Sequence, residues 1–168
     1  MGQRDARYQL SGIVEMDDCF VGGPSHNGKR GRGTDKAKVV VAVSKTDNGI
    51  PLFARMKVVE DLKGKTLQQI VDEYFAGNPK VECDGYHSYR GLENIELSYS
   101  LYEPGDLPWL HTVISNFKAF LLGACHGRSV RMQSYMDEFC FRFNRRSTGN
   151  QLFLRLTRAV ATSCALLS

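Results

Sequence analysis

The chain lacks the marks of several protein classes. No apolar run approaches the roughly 20 residues that a membrane-spanning helix needs. The first ten residues, MGQRDARYQL, are charged and contain no apolar signal core. Together these predict a cytoplasmic protein with no membrane partner. Cysteine is sparse and scattered: Cys19, Cys83, Cys125, Cys140 and Cys164 form no C-x-x-C pair. That spacing does not support a zinc ribbon, and a disulfide framework is not expected in a cytosolic chain. They read as small buried thiols. Internal repeats and an interdomain linker are also missing, which predicts a single domain over residues 1–168.

What is present suits one soluble-type core. The 168 residues are 42% hydrophobic and 24% charged, an ordinary globular balance. The net charge of +4 is mild, but the positive residues are grouped as GKRGRG (28–33), RSVR (128–131) and RFNRR (142–146). A mild excess alone is a solvated surface; groups of this kind beside carboxylates point to a polyanionic partner.

Local patterning predicts the element order. Residues 11–23 read as a strand that ends at Gly22-Gly23-Pro24. Residues 24–37 are polar, basic and glycine-rich, hence a loop. KVVVAVS (38–44) is a β-branched buried strand, TDNG (46–49) a turn, and 50–59 the returning strand. KTLQQIVDEYF (65–75) is an amphipathic helix with Leu67, Ile70, Val71, Tyr74 and Phe75 on one face. KVECD (80–84) is a short strand and 97–103 a candidate fifth, with an optional short helix between them. Helices follow at 108–122, about 129–146 and 150–166, so the C-terminal helices begin at about 129. Three antiparallel strands, a crossover helix, a parallel strand and further α/β elements predict a ribonuclease-H-like mixed sheet with flanking helices. This is an α/β fold of the retroviral-integrase catalytic-core type.

The chemistry centres on VEMDDCFVGG (14–23), where two carboxylates interrupt an apolar strand. Strand side chains alternate, so Asp17 and Asp18 face opposite sides of the sheet. A buried ionised carboxylate is costly unless it is paired or binds a cation. Asp84 ends the fourth strand, at the sheet edge where α/β sites are usually placed. Taken singly, each aspartate has a structural reading at least as common as catalysis: a turn starter at Asp84-Gly85, a strand-end bond to backbone at Asp17 or Asp18. Together they are harder to dismiss, because the first and fourth strands are neighbours in the predicted sheet. Carboxylates on both would meet at one spot and suit a hard divalent cation. On the helix at 108–122, 100° per residue puts Asn116 at the border of the apolar arc, beside Trp109 and Phe120.

Four segments then show a resemblance. VEMDDCFVGG, ECDGYHSY, HTVISNFKAFLLGACHG and YMDEFCFRFNRR resemble, in order, the blocks of bacterial insertion-sequence transposases of the DDE class. The ISXO-like subgroup is the most similar, its third catalytic position often being Asn rather than Glu. The resemblance covers about residues 11–147. It implies that Asp17, Asp84 and Asn116 form the catalytic and metal-binding set. Lys118, in the same S-N-x-K block, is implied as a DNA contact. The family usually has Glu after the first Asp, so Asp18 keeps the charge with a shorter reach and is read as accessory. Glu15 shares the strand face of Asp17 and is read as a supporting residue. Glu138 is the acidic rival to Asn116, read here as structural and paired with Arg142 at i+4; Glu103 is a second rival. His111 and His126 are read as hydrogen-bonded structural groups rather than metal ligands, and Phe139, Phe141 and Phe143 as core. Tyr86 and Tyr89 suit a sugar or base contact and a packing role equally.

The implied activity is Mg²⁺-dependent cleavage at transposon ends followed by strand transfer, with Mn²⁺ as an alternative ion and two metals at the site. The implied partners are transposon-end and target DNA, bound as a homo-oligomer, with the protein associated with the bacterial nucleoid. Lys29, Arg30, Arg32, Lys118, Arg128, Arg131, Arg142, Arg145 and Arg146 are expected to hold phosphates. Two rival readings share the fold: a truncated or domesticated DNA-binding protein without catalysis, and a metal-dependent nuclease that does not join ends. Members of the family usually carry an N-terminal region that recognises element ends; here the first catalytic strand begins almost at the start, and that region is expected to be absent.

Overall fold

A computed structural model describes residues 8–22, 36–84, 87–99, 107–124 and 131–149, with 151, 153, 154, 157, 158 and 161 beyond them. Among the described residues, five strands form one sheet: β1 (Ile13–Val21), β2 (Ala37–Lys45), β3 (Pro51–Val59), β4 (Lys80–Cys83) and β5 (Glu96–Tyr99). Their order is β3-β2-β1-β4-β5. β1–β2 and β2–β3 pair antiparallel, and β1–β4 and β4–β5 parallel. Among the described residues, helices α1 (Gly64–Tyr74), α2 (Pro108–Ala124) and α3 (Met132–Phe143) flank the sheet. This is the ribonuclease-H-like arrangement expected from the sequence, with β1 at its centre.

The alternation of β1 feeds two separate cores. Val14 and Met16 join Val40, Ala42, Val81 and Cys83 under the apolar stripe of α1. Cys19 and Val21 join Val39, Val41 and Val43 beneath α2 and α3. Strand β2 is buried on both faces, which explains its almost unbroken run of Val and Ala. The β2–β3 turn closes by a Gly49 N–H bond to the Thr46 carbonyl (2.8 Å), with Gly49 at φ 75°. Ahead of α1, the Asp61 carboxylate accepts the Lys63 N–H (3.0 Å) and the Thr66 hydroxyl (2.7 Å).

Two elements differ from expectation. Between β4 and β5 the described chain forms only a 3₁₀ turn, His87–Tyr89. The helix expected over about 129–146 ends at Phe143, because the Asn144 side chain turns onto β3. It accepts the Ala54 N–H (2.7 Å) and donates to the Ala54 carbonyl (3.1 Å). The described residues of 151–161 are helical. Among the described residues no helix is long and apolar enough to cross a membrane. Cys19, Cys83 and Cys140 are buried, as expected; Cys125 and Cys164 lie outside the described residues.

Candidate active site

The parallel ladder of β1 and β4 pairs Glu15 with Glu82 and Met16 with Cys83. Carried one residue further, the same register sets Asp84 beside Asp17. Paired residues of adjacent strands lie on one face, and the strands stand about 4.8 Å apart. The parity is fixed by the cores. Met16 and Cys83 belong to the α1 side, so Asp17 and Asp84 belong to the α2 side, and Asp18 to the α1 side. The Asp18 N–H donates to Asp17 Oδ1 (2.7 Å).

Neighbouring groups report the same cluster. Burial first, then the charges of Asp84 and Asp17, push the Cys83 thiol up to about 12. Tyr89 is buried on the α1 side; burial, with Asp17, Asp18 and Asp84 adding to it, drives its hydroxyl far above the ordinary tyrosine range. Of its two expected roles, burial selects packing. Cys19 is raised to about 12 by burial, against the opposing pull of Lys118, with Asp17 and Asp18 raising it further. Lys118 therefore stands within electrostatic reach of β1 beside the aspartates.

Helix α2 is fixed to β1 by a residue that strand patterning marked only as a supporting one. Glu15 is fully buried (0% exposed). Its Oε2 accepts the Leu110 N–H at 2.8 Å, in the first turn of α2. Such first-turn N–H groups have no partner within their own helix. Its Oε1 accepts from Lys45 Nζ (2.9 Å), which also donates to Glu82 Oε2 (2.6 Å). Burial alone would lower the Lys45 ammonium, but its hydrogen bonds to Glu82 and Glu15 outweigh that and leave it raised. Lys45 and Glu82 were invisible as site neighbours in the sequence; the signal that existed was an acidic residue at each of two strand positions in parallel register.

From that anchor, strand and helix run side by side in the same sense. Glu15 to Cys19 is about 13 Å of strand, and Leu110 to Lys118 about 12 Å of helix. The two flanks of α2 then face different ways. Trp109 donates its indole N–H to the Gly49 carbonyl (2.5 Å) at the β2–β3 turn, and Phe120 packs on Tyr135 and Phe139 of α3. Asn116 is exposed on that flank. Lys118 lies on the opposite flank with the exposed His111, about 160° from Asn116 around the helix. Asp17 and Asp84 thus lie on the α2 side with Lys118 within electrostatic reach of β1, Asp18 lies on the other face, and Asn116 stands on the flank of α2 that carries Trp109 and Phe120.

The donor set fits a hard cation. Two carboxylates on one face are what a magnesium site takes from a protein, the remaining positions going to water and substrate phosphate. Among the described residues no group of three or more His, Cys, Asp or Glu side chains gathers as a metal site. The acidic rival Glu138 does not join them: it pairs with Arg142 on α3 at 2.5 Å.

The model of one family, described as the ISXO2-like transposase domain, matches residues 9–144. The chain belongs to that family. Among solved structures, a Mos1 transposase paired-end complex with left transposon end is similar at 13% identity. That alignment covers 86% of this chain and has a TM-score of 0.41. The chain spans 56% of the length of that solved chain. No curated protein matches.

The basic residues of this transposase domain divide sharply. Arg145, expected on phosphate, is 8% exposed; its guanidinium stacks on Phe141 (3.7 Å) and donates to the Phe141 carbonyl (3.1 Å). Arg146 donates to the carbonyls of Leu52 (3.0 Å), Pro51 and Phe143 (3.0 Å). Arg146 thus ties the chain after α3 to β3, while Arg145 packs on the end of α3 and over the Tyr8 ring (5.2 Å). Arg142 is tied to Glu138 and lies over Phe120 (5.7 Å). Arg131 is exposed at the start of α3. Lys29, Arg30, Arg32, Tyr86, Glu103, His126 and Arg128 lie outside the described residues.

Proposed function

We propose that this domain cuts DNA at the ends of a mobile element and joins the freed 3′ ends to target DNA, using divalent ions held by Asp17 and Asp84. The observation that supports this reading is the β1–β4 register, whose last pair, Met16 with Cys83, comes one residue before Asp17 and Asp84. Mg²⁺ suits these hard oxygen donors and Mn²⁺ can replace it. When bound as a pair, the ions activate the attacking oxygen and neutralise charge on the leaving one.

The chain's own residues supply the rest. Asp17 and Asp84 bind, and the Asp18 N–H fixes the Asp17 carboxylate. Lys118 is placed to hold a DNA phosphate beside them, with Arg131 and the basic segments at 28–33 and 128–131 extending the grip. Asn116 is assigned as third donor on the family pattern; its amide oxygen adds no charge and cannot act as a base. Because α2 presents it on the flank turned toward α3, it is the weakest member of the set. Two in-line displacements complete the reaction. Water opens the phosphodiester at the element end, leaving a 3′-hydroxyl, and that hydroxyl displaces a target-strand oxygen with no covalent protein–DNA link. Joining two ends to one target calls for a homo-oligomer on the DNA, working at the nucleoid.

The test is a nicking and strand-transfer assay on candidate end DNA with Mg²⁺ or Mn²⁺. Wild-type protein should nick and join; Asp17→Ala and Asp84→Ala should do neither while still binding DNA. Asn116→Ala should lose less than either aspartate change. Nicking without joining would select the nuclease reading, and salt-sensitive binding without nicking the non-catalytic one.

A further inference from the structure

The trio of buried Glu15 and half-buried Lys45 and Glu82 has no task in the chemistry above, yet it lies one step along the same strand pair. On the α2 face, β1 and β4 carry a first acidic pair, Glu15 with Glu82, and the ladder ends at Met16–Cys83, one residue before Asp17 and Asp84. Lys45 neutralises the first pair through contacts of 2.9 and 2.6 Å. Two like charges on facing strand positions repel, so Lys45 also draws the β1 and β4 strands together at the point just before the two aspartates. Glu15 uses its second oxygen on the Leu110 N–H (2.8 Å). There it meets the partial positive charge of a helix N-terminus. One carboxylate therefore ties three elements, β1, β2 and α2, two residues from Asp17.

We propose that Glu15, oriented by Lys45, is a positioning residue: it sets where α2 stands against the Asp17–Asp84 pair, and through it the geometry of the metal site. The part concerning metal rests on the proposed function; the part concerning α2 does not. Lys45 is bonded to both carboxylates, so removing it alone leaves Glu15 and Glu82 facing each other. Glu15→Gln is milder in charge but places amide hydrogens toward the Lys45 ammonium. A Glu15→Gln/Lys45→Met pair removes that clash and leaves the amide oxygen on the Leu110 N–H.

The experiment uses the full chain under conditions where each variant is folded by circular dichroism. Amide hydrogen exchange is read in the first turn of α2, and Mn²⁺ affinity by calorimetry. Glu15→Gln should exchange at least tenfold faster at 110–113, with the β1–β2 ladder unchanged. It should also bind Mn²⁺ about tenfold more weakly, in the range seen when groups that orient metal ligands are altered. The double variant should recover most of both. Unchanged exchange in Glu15→Gln overturns the clamp. Faster exchange with wild-type Mn²⁺ affinity overturns its link to the metal site. A wild-type protein that binds no Mn²⁺ overturns the proposed function instead, and the exchange result still decides whether Glu15 positions α2.

Discussion

At the β3 edge, polar side chains are turned onto the strand's own backbone; at the β1–β4 end, they are gathered away from it. Gln133 accepts the Val58 N–H (2.9 Å) and donates to the Met56 carbonyl (3.0 Å). Asn144 does the same for both groups of Ala54, and Arg146 takes the carbonyls of Pro51 and Leu52. An open edge strand invites pairing with another chain, and here a run of amide and guanidinium groups closes it. The β1–β4 end does the reverse: a ladder stops at Met16–Cys83 and the next residue on each strand is an aspartate. The first arrangement lowers the energy of the fold. The second concentrates negative charge, which folding alone gives no reason to do and which a bound cation rewards.

The sharpest way to break that contrast is to exchange the roles. Asp17→Asn should remove Mg²⁺-dependent nicking by a factor of about 10³ or more, as expected when a group needed only in the reaction is lost. Its melting temperature should stay within a few degrees of wild type. A stability loss that tracks the loss of nicking would place Asp17 with the edge residues instead. Asn144→Ala should behave in the opposite way. It strips partners from two backbone groups of buried Ala54, costing about 2–4 kcal/mol, while nicking per folded molecule stays unchanged. Denaturant titration beside the activity assay reads both.

The basic residues give a smaller but cleaner division. Lys118→Ala should weaken DNA binding and reduce the salt slope by about 1, with no change in stability. Arg145→Ala should lower stability and leave the salt slope as it is. If Arg145→Ala reduces the slope, its guanidinium leaves the Phe141 pocket on DNA.

The smallest effect is that of pH. Cys19, Cys83 and Tyr74 are raised to about 12, in each case chiefly by burial, and Lys45 is raised by its two carboxylates. Each group holds its proton more tightly in the folded chain, so between about 9 and 12 unfolding releases protons. Stability is then full below about pH 9 and falls as pH rises toward 12. Denaturation midpoints measured across pH 8–11 should decline, and neither Cys19 nor Cys83 should react with a thiol reagent at pH 8 without unfolding. A midpoint that rises with pH would contradict this.

Several features were legible from residues alone. The alternation around Asp17 and Asp18 separated the faces they occupy, because a strand has a period of two whatever it packs against. The β-branched run of β2 announced a strand buried on both sides, and the stripe of α1 its inner face. RFNRR makes contacts that its charge alone does not announce. Charge counts in a sequence suggest solvent and phosphate, but Arg145 lies on an aromatic ring and Arg146 on carbonyls of a strand about 95 residues earlier. No local pattern encodes a contact of that span.

The chain's own sequence determined the elements, the pairing of an aspartate with each of two neighbouring strands, and the family to which its motifs belong. These depend on short-range periodicity and on residue types at fixed spacing. Tertiary structure alone decided how α2 is rotated against β1, that Lys45 sits between Glu15 and Glu82, and that Asn144 and Arg146 serve the β3 edge. Each of those depends on the register of strands and the rotation of a helix against a sheet. Both are set by how two cores pack on opposite faces of one strand.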